Sequence, residues 1–215
     1  MNTDFIDLLG QICLLAAALP VLVALSQWRR LNAPMWVIAG FLVGSLALSV
    51  GSMLIEENRF MTHFGVYWDV VCMTLYFYLV VRNLPLKRAI LPGGALFLVW
   101  ALVDTWFVTG WARVNSPTAA METVFVIGLS LVHLRELMLD VRPEGLHRQP
   151  LFWLTSSLLI QNAVNLLYNA FEAQLLEDAS VFYQIIGIIY SFTLLGQLLF
   201  AWGFWVRRKT RSFAV

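Results

Sequence analysis

The sequence predicts an all-α polytopic membrane protein, a single seven-transmembrane-helix bundle over residues 1–215, and three observations carry that reading. Sixty per cent of the 215 residues are hydrophobic and 13% are charged, whereas a soluble domain needs about 25% charged residues to face water. Apolar runs of bilayer-crossing length recur along the whole chain. The charges are segregated along it, although they sum to only +1. Mean hydropathy is +0.76, and little length remains for a separate water-soluble catalytic domain.

A window of about 19 residues gives seven segments: Phe5 to Gln27, Pro34 to Ile55, Thr62 to Val81, Ala89 to Thr109, Pro117 to Met138, Pro150 to Phe171 and Val181 to Val206. A helix satisfies its own backbone hydrogen bonds where no water is available. The alternating polarity of a membrane β-barrel is absent. The first segment follows Met1, Asn2, Thr3 and Asp4, without the basic leader of a secretory signal, so it reads as a retained helix. Pro34, Pro92, Pro117 and Pro150 fall near predicted starts, where a missing amide proton costs least. Cys13 and Cys72 lie inside apolar runs and read as small hydrophobes.

Lys and Arg flanking a span are retained on the cytoplasmic side during insertion. Arg29 and Arg30, then Arg82, Lys87 and Arg88, then Arg135, Arg142 and Arg148, then Arg207, Arg208, Lys209 and Arg211 share one side, against Arg59 and Arg113 on the other. The N-terminus is therefore predicted outside and the C-terminus in the cytoplasm. Trp28, Trp36, Trp153 and Trp205 suit an inner interfacial belt, and Trp106, Trp111 and Tyr183 an outer one. Sliding the chain by 116 residues aligns Pro34 with Pro150, Trp36 with Phe152, Glu56 with Glu172 and Tyr67 with Tyr183. That match leaves open two parallel three-helix units joined by the fourth span, a 3+1+3 repeat.

An ionisable side chain at membrane depth costs about 2.5–3.5 kcal/mol on insertion scales, so it needs a partner, a cavity or a function. Asp69, Asp104 and Glu122 lie in the outer third of three successive spans. Each taken singly has a bland explanation, snorkelling to the headgroups or bonding a neighbouring helix; three at similar depth suggest a shared hollow. Gln161, Asn162, Asn165, Tyr168 and Asn169 fall within an arc of roughly 120° on the sixth span. Tyr183, Gln184, Tyr190, Ser191 and Gln197 fall within about 140° on the seventh. Such stripes either line a site or join helices, at about 0.6 kcal/mol per contact.

His63 sits at the outer mouth of the third span with Tyr67 one turn below, while His133 and His147 belong to the inner side. The three cannot gather round one metal, and no metal is predicted. No G-x-S-x-G or phosphate-binding glycine loop occurs. No catalytic residue and no cofactor is assigned. The C-terminal Arg207 to Arg211 cluster reads as a stop-transfer flank, not as a nucleic-acid patch. The seventh span has no lysine for a retinal Schiff base, and Ala33-Pro34 and Gln149-Pro150 do not supply the Pro-Gln pair of the sugar-transporter group.

Three stretches carry a family resemblance: His63 to Asp69, the Asn115-Ser116 turn leading to Met121-Glu122, and Leu151-Phe152-Trp153 running to Asn165. In them the chain resembles small seven-helix membrane proteins of Bacteroidota without an assigned activity, which tend to carry Glu where this chain has Asp69. The resemblance implies a seven-helix bundle in a bacterial inner membrane, and no substrate, cofactor or reaction.

The resulting expectation is a receptor- or sensor-like protein. Its outward pocket, lined by Asp69, Asp104, Glu122, Asn165, Asn169 and Gln184, with Tyr190 and His63 beside them, takes a small polar or cationic ligand. The inner loop Glu136 to Gln149 meets a cytoplasmic signalling protein. A small-solute or proton-coupled transporter is the second reading, and an intramembrane lipid-modifying enzyme using buried acids the third.

Overall fold

The computed structural model describes the backbone of residues 3–55, 59–111, 116–140, 145–175 and 179–210, and their side chains except at 3–7, 59, 116, 170–175, 179–184 and 207–210. Among them are seven long helices: α1 (Thr3–Ser26), α2 (Ala33–Leu54), α3 (Arg59–Val80), α4 (Leu84–Val103), α5 (Ser116–Leu139), α6 (Pro150–Leu175) and α7 (Ala179–Thr210). Six of them contain a stretch long and apolar enough to cross a membrane. The chain is thus a membrane-embedded helical bundle. α6 is long enough at 26 residues but is diluted by Gln161, Asn162, Asn165 and Asn169.

Local chemistry sets the helix starts. The Asn32 carboxamide accepts the Met35 amide at 3.3 Å with Pro34 in the first turn of α2. Asn83 does the same for Leu86 at 3.2 Å, ahead of α4. Both are N-caps that satisfy an amide the helix leaves unbonded. The Asn83 cap, with Pro85 in the first turn, starts α4 at Leu84, five residues before the predicted Ala89. Lys87 and Arg88 are therefore helical, with the Lys87 ammonium 5.0 Å from the Tyr78 ring centroid. Pro92 falls inside α4, not at its start.

Neighbour relations form a closed ring. α1 packs between α2 and α7, α2 on α3, α3 on α5, α5 on α6 and α6 on α7, while α4 lies against α3 outside that ring. Small residues set the approaches. A side chain at Gly196 of α7 would overlap Gln161 of α6, and the Ser157 hydroxyl donates to the Gly196 carbonyl at 2.6 Å.

The apolar core occupies one half of the bundle. Met35, Ile38, Tyr76, Phe77, Leu154, Leu158, Phe200 and Phe204 are among its fully buried members, and they come from the late part of α3 and α7 and the early part of α2 and α6. At that end Glu136 of α5 accepts the backbone amides of Arg82 and Asn83, each at 2.9 Å, and Arg82 pairs with Asp140. These bonds fasten the α3–α4 connection to α5. The opposite half, around the starts of α3 and α5 and the end of α4, holds the buried carboxylates Asp104 and Glu122 together with His63, Thr105 and Thr118.

Candidate functional site

α4 does not simply stop. Residues Asp104–Val108 widen into a π-helical turn, in which the Thr109 amide reaches back five residues to the Asp104 carbonyl at 2.8 Å. Such turns insert one residue into a helix and are common at functional sites. Here the turn sorts its side chains. Asp104 and Thr105 are buried, at 4% and 0% exposure, while Trp106, Phe107 and Val108 face outward.

Thr105 is the junction of α3 and α4. Its Oγ1 donates to the Ala101 carbonyl at 2.9 Å and accepts from the Tyr67 hydroxyl at 2.6 Å. His63 Nδ1 lies 2.9 Å from the same oxygen. A hydroxyl has one proton and two lone pairs. With the proton committed to Ala101, both neighbours must donate, which places a proton on Nδ1 of His63. His63 is fully buried.

Asp104 ties α4 to α5. Its carboxylate accepts from Thr109 Oγ1, at 3.1 and 3.0 Å to its two oxygens, and from the buried Thr118 of α5 at 3.0 Å. One turn deeper on α5 lies Glu122, also buried. Across from it on α3 the half-buried Asp69 is near enough for its charge to act on Glu122. Above these groups the Trp111 ring lies 5.4 Å from His63, 5.9 Å from Phe64 and 5.4 Å from Trp106 between centroids. The region thus combines carboxylates held by hydroxyls, a buried imidazole and an aromatic rim at the junction of α3, α4 and α5. Among the described residues no three His, Cys, Asp or Glu side chains stand close enough together to hold a metal ion.

The remaining expected residues fall elsewhere. Asn165 of α6 is exposed and Asn169 half-buried. Tyr190 of α7 lies against Gly10 of α1, where its carbonyl accepts from the Cys13 thiol at 3.3 Å. The Gln184 side chain lies outside the described residues. Part of the α6 and α7 stripes is taken up by bonds within each helix and by one notch between the two. Asn162 donates to Leu158 of its own helix at 2.9 Å, Gln161 fills the notch at Gly196, and Ser191 donates to Gly187 at 2.8 Å. Sequence reasoning missed Thr105, Thr109 and Thr118, because threonines are common in apolar helices and no periodicity marks a hydroxyl that bridges two of them.

Comparison with protein-family models, with curated proteins and with solved structures gives no match.

Proposed function

We propose that the chain is a receptor- or sensor-like protein of a bacterial inner membrane, with α6 as its seventh crossing, the N-terminus outside, and a ligand site for a small organic cation at the His63 end. One observation carries this reading: the π-helical turn turns Asp104 and Thr105 inward, to the junction where α3, α4 and α5 meet. A helix that widens there gives up regular backbone geometry to bring a carboxylate and a hydroxyl to one place. Asp69 and Glu122 add negative charge beneath, and Trp111, Trp106 and Phe64 add ring faces above. Carboxylates with aromatic faces are the chemistry that recognises alkylammonium groups. Binding is read out through the cytoplasmic loops, of which the clamped α3–α4 connection and the segment from Glu136 to Gln149 are the surfaces offered to a signalling partner. A six-membered ring with α4 outside is also what a 3+1+3 repeat would build.

Isothermal titration of the purified chain with tetramethylammonium, choline and ethylamine tests the site. Saturable binding is expected, weakened at least tenfold in the Asp69→Asn, Glu122→Gln double variant. Identical profiles for the two proteins would remove the site from consideration.

A transport reading draws on a separate observation. In the core half of α5, Ser130 and His133 are buried at 0% and 2% exposure, without a hydrogen-bond partner for the Ser130 hydroxyl or either ring nitrogen, and His133 lies 3.8 Å from Glu136. They continue the polar face of Glu122 toward the far end at helical spacing. Proton-coupled uptake in proteoliposomes, abolished by His133→Phe, would establish transport in place of sensing.

A further inference from the structure

Away from the His63 end, α1 and α2 diverge to leave an apolar slot of about 320 Å³. Small residues create it. Ala24, Ala39 and Gly40 line the slot, and nothing lies within 4 Å of where a Gly40 Cβ would stand. Its deep end is closed by the Trp68 indole of α3, which fills the notch at Gly44 and donates from Nε1 to the Phe41 carbonyl at 3.2 Å. Trp28 stands at the mouth, and its ring also walls a second hollow of about 410 Å³, lined by Ser26, Gln27, Arg29 and Arg30. The Arg29 guanidinium sits 5.2 Å from the Trp28 ring centroid. Gln27 is 94% buried, yet neither its carboxamide oxygen nor its nitrogen has a hydrogen-bond partner. A buried amide left so is unfavourable until a donor and an acceptor reach it.

We propose that the two hollows form one binding site for a single anionic phospholipid, with an acyl chain in the slot and the phosphate at Arg29, Arg30 and the Gln27 carboxamide. The walls of the slot are apolar along their length. Its open end is where it meets cations, and among the described residues no carboxylate lines either hollow. Two guanidiniums without a counter-charge among the described residues select a net negative headgroup over a zwitterionic one, and arginine matches phosphate oxygens two at a time. Basic pockets between membrane helices hold lipid headgroups by this chemistry. The headgroup also supplies the donor and acceptor that Gln27 lacks. The site does not depend on the reading of the His63 end.

Native mass spectrometry of the full chain in detergent, titrated with phosphatidylglycerol and phosphatidylcholine of equal chain length, tests it. A one-to-one phosphatidylglycerol adduct is expected, at least fivefold more abundant than the phosphatidylcholine adduct. Gly40→Leu fills the slot from an exposed position with open space at its Cβ, and the Arg29→Gln, Arg30→Gln double variant removes the charges. Each is expected to lower the adduct at least fivefold without changing the unfolding temperature. The two variants act through different hollows, so failure of one to fold leaves the other decisive. Equal retention of both lipids, adducts unchanged in a folded variant, or displacement by inorganic phosphate alone would each overturn the proposal.

Discussion

Thr105 is bonded to capacity, giving one proton to Ala101 and accepting from Tyr67 and His63. Replacing it with valine keeps the shape and removes three hydrogen bonds at a fully buried position, so Thr105→Val is expected to destabilise the protein by about 1–3 kcal/mol. Thr105→Ser restores the hydroxyl and is expected to recover most of the loss. The unfolding temperature in detergent measures both. If serine and valine were equally disruptive, packing of the threonine methyl would be the cause instead. Glu122 is the opposite case, a buried carboxylate with another acid acting on it. Like charges in a medium of low dielectric repel strongly. Glu122→Gln is thus expected to leave the ligand-free protein as stable as the parent or more so, while weakening cation binding in titration calorimetry. Loss of both stability and binding would mean that the carboxylate holds the fold together.

At the scale of elements, two devices stand apart from regular helix. The π-helical turn owes its shape to one extra residue, so deleting the outward-facing Phe107 is expected to return α4 to α-helical register. Asp104 and Thr109 then stand four residues apart on one helix face, and the widened turn that presents Asp104 and Thr105 to α3 and α5 is lost. Helical content by circular dichroism should be retained while cation binding falls at least tenfold. The second device is the Glu136 clamp. Hydrogen bonds to a charged group are worth about 1.5–3 kcal/mol, so Glu136→Ala is expected to cost about that much and to speed hydrogen exchange at the Arg82 and Asn83 amides. Asp140→Asn removes an exposed ion pair, a loss expected to cost under about 1 kcal/mol. Neither device was visible in the sequence. Hydropathy reports the helices because burial in lipid acts on about 20 residues together; each of the seven long helices among the described residues falls on a predicted segment, and six are long and apolar enough to cross a membrane. Helix ends depend on single side chains, which is why Asn83 and Pro85 moved the start of α4. The polar stripes of α6 and α7 resembled a site because the amides that join helices have the same composition as those that bind ligands. Asp104 and Glu122 stood out as acids in apolar runs, while the threonines between them did not.

For the whole molecule, the decisive feature is the difference between its halves. Aromatic and aliphatic side chains fill the half that holds Tyr76, Phe77, Phe200 and Phe204, and the half around His63 keeps the buried acids Asp104 and Glu122 with Thr105 and Thr118. The buried carboxylates among the described residues thus gather at one end of the bundle, the end of the ligand site proposed on one side of the membrane. Which side follows from charge, because cations flanking a span are held in the cytoplasm. Arg29, Arg30, Arg82 and Arg148 all lie at the core end in the described residues, so the His63 end is expected outside. Cysteine labelling on intact cells checks this. The native Cys13 and Cys72 are both buried and should give little background. Ile55→Cys, just past the end of α2 and exposed, is expected to react with a membrane-impermeant maleimide in intact cells. Arg148→Cys, in the exposed turn before α6, should react only after the membrane is opened. The reverse pattern would turn the acids toward the cytoplasm and make an extracellular ligand untenable. Labelling of both sites in intact cells would break the assumption that α3, α4 and α5 each cross once, since those three helices separate the two positions.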